Sequence, residues 1–322
     1  MMRPTKADEP VTMPELDAPQ TCSTYGIESL MQCVDKARLE ADVRLIAKPR
    51  PPESEQHATV RKLCADRLSA LGFEVSYQSY GSGTNVIGVK PGFTKPTEQV
   101  IVSAHYDDVE NCAGADDNAT GVAAVLETAR VLSEARLDRS LVVACWDEAE
   151  RGQIGSQAYA REARKRDDKI VTMFAYESIG YASSEPDSQR IPDRFEELFP
   201  DQALAMLDNE YRGDFLTVVA DTATEAWALS VVKHGKGLKL PVQVLTLTTA
   251  TKTRQTKLHR SDHSSFWDAD FPALLVTDSG SFRNPNSHCE GGPDSPDKLD
   301  YDFVLRITRA ALGAVVEALE LR

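Results

Sequence analysis

No C-x-x-C pair occurs in the chain, which argues against a zinc site built from paired thiolates. Long apolar runs are absent too: nothing approaches the roughly 18 residues of a membrane-spanning helix. Basic charge is scarce. Lys and Arg total 36 against 50 Asp and Glu, a formal net charge of −14. Nucleic acid and anionic membrane both need basic surface, so neither is expected as the main partner. Met1 to Gln20 has no apolar segment of the secretory type. The chain is therefore either cytosolic or without a leader at its start. No internal repeat and no strong linker interrupts residues 30–322.

Apolar residues make up 41% of the chain, enough for one sizeable core. The first 25 residues, rich in Pro, Asp and Glu, read as a mobile tail. From there helical and strand patterns alternate. Helices are expected over Ile27 to Lys48, from Ser54 to about Leu71, over Thr120 to Ala135, Gly155 to Lys165, Thr222 to Lys233 and Leu299 to Leu321. Strands are expected at Phe73 to Tyr77, Asn85 to Lys90, Gln99 to Ala104, Leu141 to Trp146, Ile170 to Tyr176, Phe215 to Ala220, Val242 to Leu247 and Phe271 to Val276. The alternation implies an α/β fold: a single domain over 26–322 with a mostly parallel, mixed sheet sandwiched between helices. A loop excursion is expected at about 181–214. Thr248 to Lys257 reads as polar, basic and mobile.

Ligand-type side chains gather at the strand ends. Val100-Ile101-Val102 runs into His105 and Asp107, and a Gly-containing loop then delivers Asp116 and Asp117. Trp146-Asp-Glu-Ala-Glu-Arg-Gly follows a second strand, Tyr176-Glu-Ser-Ile-Gly a third, and Arg283-Asn-Pro-Asn-Ser-His-Cys closes the set. Each is weak alone. Together they suit a divalent metal such as zinc, because ligands collect at the carboxyl ends of strands and zinc takes imidazole and carboxylate. His57, His234 and His259 have no partner pattern and read as surface residues. Asp294-Ser-Pro-Asp297 reads as a helix-capping turn, and Trp146 as packing below the site. Cys64 and Cys145 read as core thiols. Cys22 and Cys33 flank a helical segment, while Cys112 and Cys289 each lie close to a candidate ligand. Two local disulfides would fit export from the cytoplasm; free thiols fit a cytosolic enzyme equally well. An exported location, with the leader missing, is slightly favoured.

The strings S-A-H-Y-D-D, G-A-D-D-N-A-T-G, E-R-G-Q-I-G-S, Y-E-S-I-G-Y, R-S-D-H-S-S-F-W and F-R-N-P-N-S-H, spread over about residues 55–320, resemble the co-catalytic zinc aminopeptidases. That superfamily holds bacterial leucine aminopeptidase, glutamate carboxypeptidase-like enzymes and glutaminyl cyclases. The resemblance implies two zinc ions per chain. His105 and Glu177 would hold one, Glu150 and His288 the other, and Asp116 would bridge them. Asp107 would orient His105. Asp262 would shape the site wall; Tyr176 and Tyr181, which bracket Glu177, read as core or wall residues or as substrate-binding groups for the reacting carbonyl. Two metals roughly 3.5–4 Å apart activate water and polarise a carbonyl. The implied partner is a peptide or aminoacyl substrate with a free N-terminus.

One position departs from the resemblance. Gly152, Gly155 and Ser156 set the register, which places Ala149 where the family carries a general-base glutamate. A general base is worth about 10²–10⁴-fold in rate, so hydrolysis is expected to be impaired. An inactivating Glu-to-Ala exchange is the favoured explanation. A metal-stabilised pseudo-peptidase that only binds is the second, and a water reached from Glu148 the third. A single-zinc glutaminyl cyclase is the alternative chemistry.

Overall fold

The computed structural model describes Cys22, residues 26–248 and residues 256–322. Most of the expected tail, and most of Thr248 to Lys257, lie outside the described residues. The helix expected over Ile27 to Lys48 is two, α1 (Ile27–Gln32) and α2 (Lys36–Ile46). Asp35 separates them because its carboxylate accepts from Ala37 N, the arrangement that starts a new helix. Ser54 caps α3 (Glu55–Ala70) by accepting from His57 N, as its position in the sequence suggests.

Among the described residues eight strands form one sheet: β1 (Glu74–Ser79), β2 (Thr84–Lys90), β3 (Lys95–His105), β4 (Arg139–Trp146), β5 (Lys169–Glu177), β6 (Leu216–Asp221), β7 (Val242–Leu247) and β8 (Ala273–Thr277). Their order is β1-β2-β4-β3-β5-β8-β6-β7. The central run β4-β3-β5-β8 is parallel, and so is the β6-β7 pair. The β1-β2, β2-β4 and β6-β8 pairs are antiparallel. The four central strands therefore present their C-terminal ends at one edge of the sheet. That edge carries His105, Glu177 and the loops after Trp146 and Thr277.

Side-chain parity divides the core into two layers, since successive strand residues face opposite sides. Val100, Val102, Leu141, Val143, Phe174 and Tyr176 pack in one layer with α2, α3, α4 (Gly121–Leu132), α8 (Glu225–Gly237) and α10 (Tyr301–Leu319). Ile101, Val142, Trp146, Met173 and Ala175 pack in the other with α5 (Ile154–Arg166), α7 (Pro200–Asp208) and α9 (His263–Asp268). Trp146 is fully buried there against Tyr159 and Phe266, with ring centroids 5.0 and 6.0 Å away.

The excursion over 181–214 is drawn closed by a β-bridge between Ser183 and Gly213. It contains α6 (Phe195–Leu198) and α7 rather than loop alone. Their apolar residues Phe195, Phe199, Ala203 and Met206 bury themselves in the second layer. The cap of α10 is Asp300, which accepts from Asp302 N and Phe303 N; Asp294 plays a different part, described below.

Candidate metal centre

The loop between His105 and Asp117 is shaped by a buried arginine. Arg50, in the Pro-rich break after α2, is fully buried and donates to the carbonyls of Tyr106 (2.9 Å), Ala113 (2.6 Å) and Gly114 (2.9 Å). Buried carbonyls need such donors, so one side chain fixes both ends of the loop. Asp294 holds the next two residues: its carboxylate accepts from Asp116 N (3.0 Å) and Asp117 N (3.1 Å). It is thus a backbone clamp and not a helix cap.

These supports decide which aspartate faces the site. Asp116, expected as the bridging ligand, points away from it. Its Oδ1 accepts from Gly180 N (2.8 Å) and its Oδ2 from Asn284 Nδ2 (2.9 Å). Burial, then the nearby Asp278 and Asp294, push its pKa well above the ordinary carboxylate value. Asp117 takes the central position instead. Its Oδ1 lies 3.4 Å from His105 Nε2 and its Oδ2 3.3 Å from His288 Nε2. Two neighbouring aspartates in one loop cannot be told apart by composition, and it is Asp117 rather than Asp116 that faces both histidines.

Around Asp117 stand two trios of possible ligands. The inner one is His105, Asp117 and Glu177, with Glu177 Oε2 3.4 Å from His105 Nε2. The outer one is Asp117, Glu150 and His288, with Glu150 Oε1 3.3 Å from His288 Nε2. The ligand atoms of each trio lie within 4.8 Å of one another. Asp107 sits behind both: its Oδ1 is 3.4 Å from His105 Nδ1 and accepts from Ala149 N, while its Oδ2 accepts from Glu150 N. Ser261 Oγ donates to Glu177 Oε2 at 2.7 Å. Ser261 lies beside Asp262 in the R-S-D-H string, and a serine carries no signal of its own for such a role.

The electrostatics are those of a cation site. Burial opposes charge on His105, but Glu177, Asp107 and Asp117 outweigh it and hold its pKa well above the ordinary value. Hydrogen bonding to Asp117 and Glu150 pushes His288 up to about 11. Burial tends to raise Asp117, yet its contacts with His105 and His288 hold it below the usual carboxylate range. Asp117 Oδ1 is buried and accepts no hydrogen bond. Two imidazoles, three carboxylates and an unsatisfied buried oxygen suit the ligand preferences of zinc.

A cavity of about 580 Å³ opens over both trios. Ala149 lines it beside Glu150, on a turn where Gly152 N and Gln153 N donate to the Ala149 carbonyl. Glu148 does not line it. The Glu148 carboxylate accepts from Ser82 Oγ (2.6 Å) and Arg151 Nη1 (3.1 Å), so it is not placed to replace a base at 149. Tyr176, Tyr181 and Asp262, expected on the substrate wall, do not line the cavity either. Strand parity sends Tyr176 into the opposite core layer, Tyr181 N donates to Asp278, and Asp262 lies buried behind Ser261. Burial raises the Asp262 pKa to about 7.

Of the three histidines read as surface residues, two are buried and the third is half-buried. His57 is buried, stacked on Tyr106, with its Nε2 2.6 Å from Asp147 Oδ1. His234 is buried against Glu317 at 3.0 Å, and His259 lines the cavity near Trp267. Between the two readings left open for the cysteines, the structure joins Cys112 to Cys289 in a disulfide, whereas Cys22 and Cys33 are not joined.

An α/β sheet whose strand ends bring together two histidine–carboxylate trios defines a scaffold of the kind that can hold divalent metal. The pattern of Peptidase family M28 matches residues 85–315, and the chain belongs to that family. Among curated proteins, the chain is 30% identical over 220 residues to the uncharacterized protein YfbL of Escherichia coli, covering 65% of this chain and 63% of that one. It thus spans less than two thirds of that relative. Among solved structures, the LapA aminopeptidase of Legionella pneumophila superposes with a TM-score of 0.69 at 15% identity, covering 95% of this chain and 79% of that one. The glutaminyl cyclase of Bacteroides thetaiotaomicron superposes with a TM-score of 0.59 at 18% identity, covering 88% and 98%. At these identities the two structures speak for the fold alone.

Proposed function

We propose that this chain is a metal-dependent aminopeptidase whose two trios each hold a zinc ion, with hydrolysis slowed by alanine at position 149. The observation that carries the reading is Asp117, whose two oxygens face two different histidine–carboxylate pairs. Two zinc ions in this setting would supply Lewis-acid polarisation of the scissile carbonyl and a water of lowered pKa. The chain's own residues do the rest. Asp107 orients His105 and, through two backbone N–H groups, the turn that carries Glu150. Ser261 fixes Glu177. The acidic floor of the cavity would hold the free α-ammonium of a peptide. Ile191, Phe195, Met206 and Leu245 line the cavity as well and would take an apolar side chain.

At position 149 the cavity wall offers a methyl group where a carboxylate could accept the water's proton. Restoring it in Ala149→Glu is expected to raise aminoacyl-nitroanilide hydrolysis by about 10²–10⁴-fold. A gain under tenfold would count against the register or the activity. Elemental analysis should find two zinc ions per chain. One ion together with cyclisation of a glutaminyl peptide would favour the glutaminyl cyclase reading. Ala149 itself favours a second reading, a non-catalytic binding domain; an Ala149→Glu variant that holds two ions yet stays inactive would support it. An exported location is part of the proposal, since the Cys112–Cys289 disulfide persists best in an oxidising compartment.

A further inference from the structure

His288 is the least supported member of either trio. His105 and Glu177 close strands β3 and β5, and Glu150 stands on the turn tied to Asp107. His288 sits instead on a three-residue turn, Ser287–Cys289, with its side chain 43% exposed. His288 has φ 51° and Cys289 φ 62°. Non-glycine residues occupy this left-handed region at a cost and hold it only when their surroundings impose it. The strongest imposed tie is covalent. Cys289, next in sequence to His288, is bonded to Cys112, which is buried in the loop that Arg50 secures. Asp294 N also donates to Cys289 Sγ, at 3.4 Å.

We propose that the Cys112–Cys289 disulfide is the positioning clamp of the outer metal subsite, so that reducing it releases the outer ion and spares the inner one. The inference rests on the two-ion reading above. Of the inner trio, His105 and Glu177 reach their geometry through the sheet, and Asp117, which both trios share, is held through its backbone by Asp294, whose own N–H donates to Cys289 Sγ. Of the two residues, Cys289 is half-buried and Cys112 is buried. A water-soluble phosphine would attack Cys289 Sγ, and Cys112 would leave as a thiolate that takes a proton. Water then hydrolyses the phosphonium–sulfur adduct. The products are two thiols and one phosphine oxide, so the disulfide gains two electrons and two protons.

The test is zinc titration of the oxidised chain, the phosphine-reduced chain, the Cys112→Ser/Cys289→Ser variant and His288→Ala, with mass spectrometry counting alkylated thiols. Reduction should add two alkylatable thiols to the count, those of Cys112 and Cys289. The oxidised chain should bind two ions. The reduced chain and the double variant should keep one at undiminished affinity and bind the second at least about tenfold more weakly, matching His288→Ala. Two ions at full affinity after reduction would overturn the clamp, and so would loss of both ions together. Fewer than two ions on the oxidised chain would instead overturn the reading beneath it.

Discussion

The inner and outer halves of the centre are built by different means. His105 and Glu177 are the last residues of two strands joined by a parallel ladder, from Glu98↔Lys169 to Ser103↔Ala175. Their spacing is therefore set by strand pairing and by the core beneath it. Glu150 and His288 come from a turn and a loop, held by Asp107, Asp294 and the disulfide. The inner half is a consequence of the sheet, while the outer half has to be assembled from side-chain ties. Geometry inherited from a sheet is hard to loosen without unfolding the domain. Geometry made by ties can be lost one tie at a time, with the fold intact.

The largest effect should come from the residue that the halves share. Asp117→Asn removes a ligand from both trios, and zinc content after dialysis should fall from two ions to nearly none. Asp116→Asn, whose side chain faces Gly180 and Asn284, should keep both ions. The reverse outcome would return the bridging role to Asp116. Next in size is the gain of about 10²–10⁴-fold expected for Ala149→Glu, read as kcat/KM on an aminoacyl-nitroanilide. Below that comes Asp107→Asn, which weakens the orienter of His105 and of the Glu150 turn at once. Support of this kind is typically worth about 10–100-fold in metal affinity. A fall confined to one subsite would show that Asp107 serves one half only.

The difference between the halves also explains what could be read beforehand. Periodicity exposes strands and their ends, so all eight strands, His105 and Glu177 were legible in the sequence, and so was the closing helix. Glu150 and His288 were found through the motif strings, not through periodicity. What stayed hidden were the ties. Arg50 lies between prolines and reads as a helix break, yet it is buried because three loop carbonyls need donors. Asp294 looks like a capping residue because an aspartate before a helix commonly is one. His57 carries no local sign that Asp147, ninety residues away, would bury it. Asp116 and Asp117 differ only in which way the chain turns between them, and long-range hydrogen bonds decide that.

The smallest effect is a count of protons. In the metal-free protein the His288 pKa is raised from its ordinary 6.5 to about 11. A raised folded-state value means that its contribution to stability is full below the unfolded pKa and is lost as pH rises through about 11. A histidine must give up its proton to bind a metal, so ion uptake near pH 8 should displace one proton from His288 and one from the similarly raised His105. Outer affinity should accordingly rise with pH up to about 11. Calorimetric titration in two buffers of different ionisation enthalpy measures the release directly. Wild type should release about two protons with two ions, and His288→Ala about one proton with one ion. If His288→Ala released as many protons as wild type, His288 would not be the outer ligand. The two halves would then have to be divided along another line.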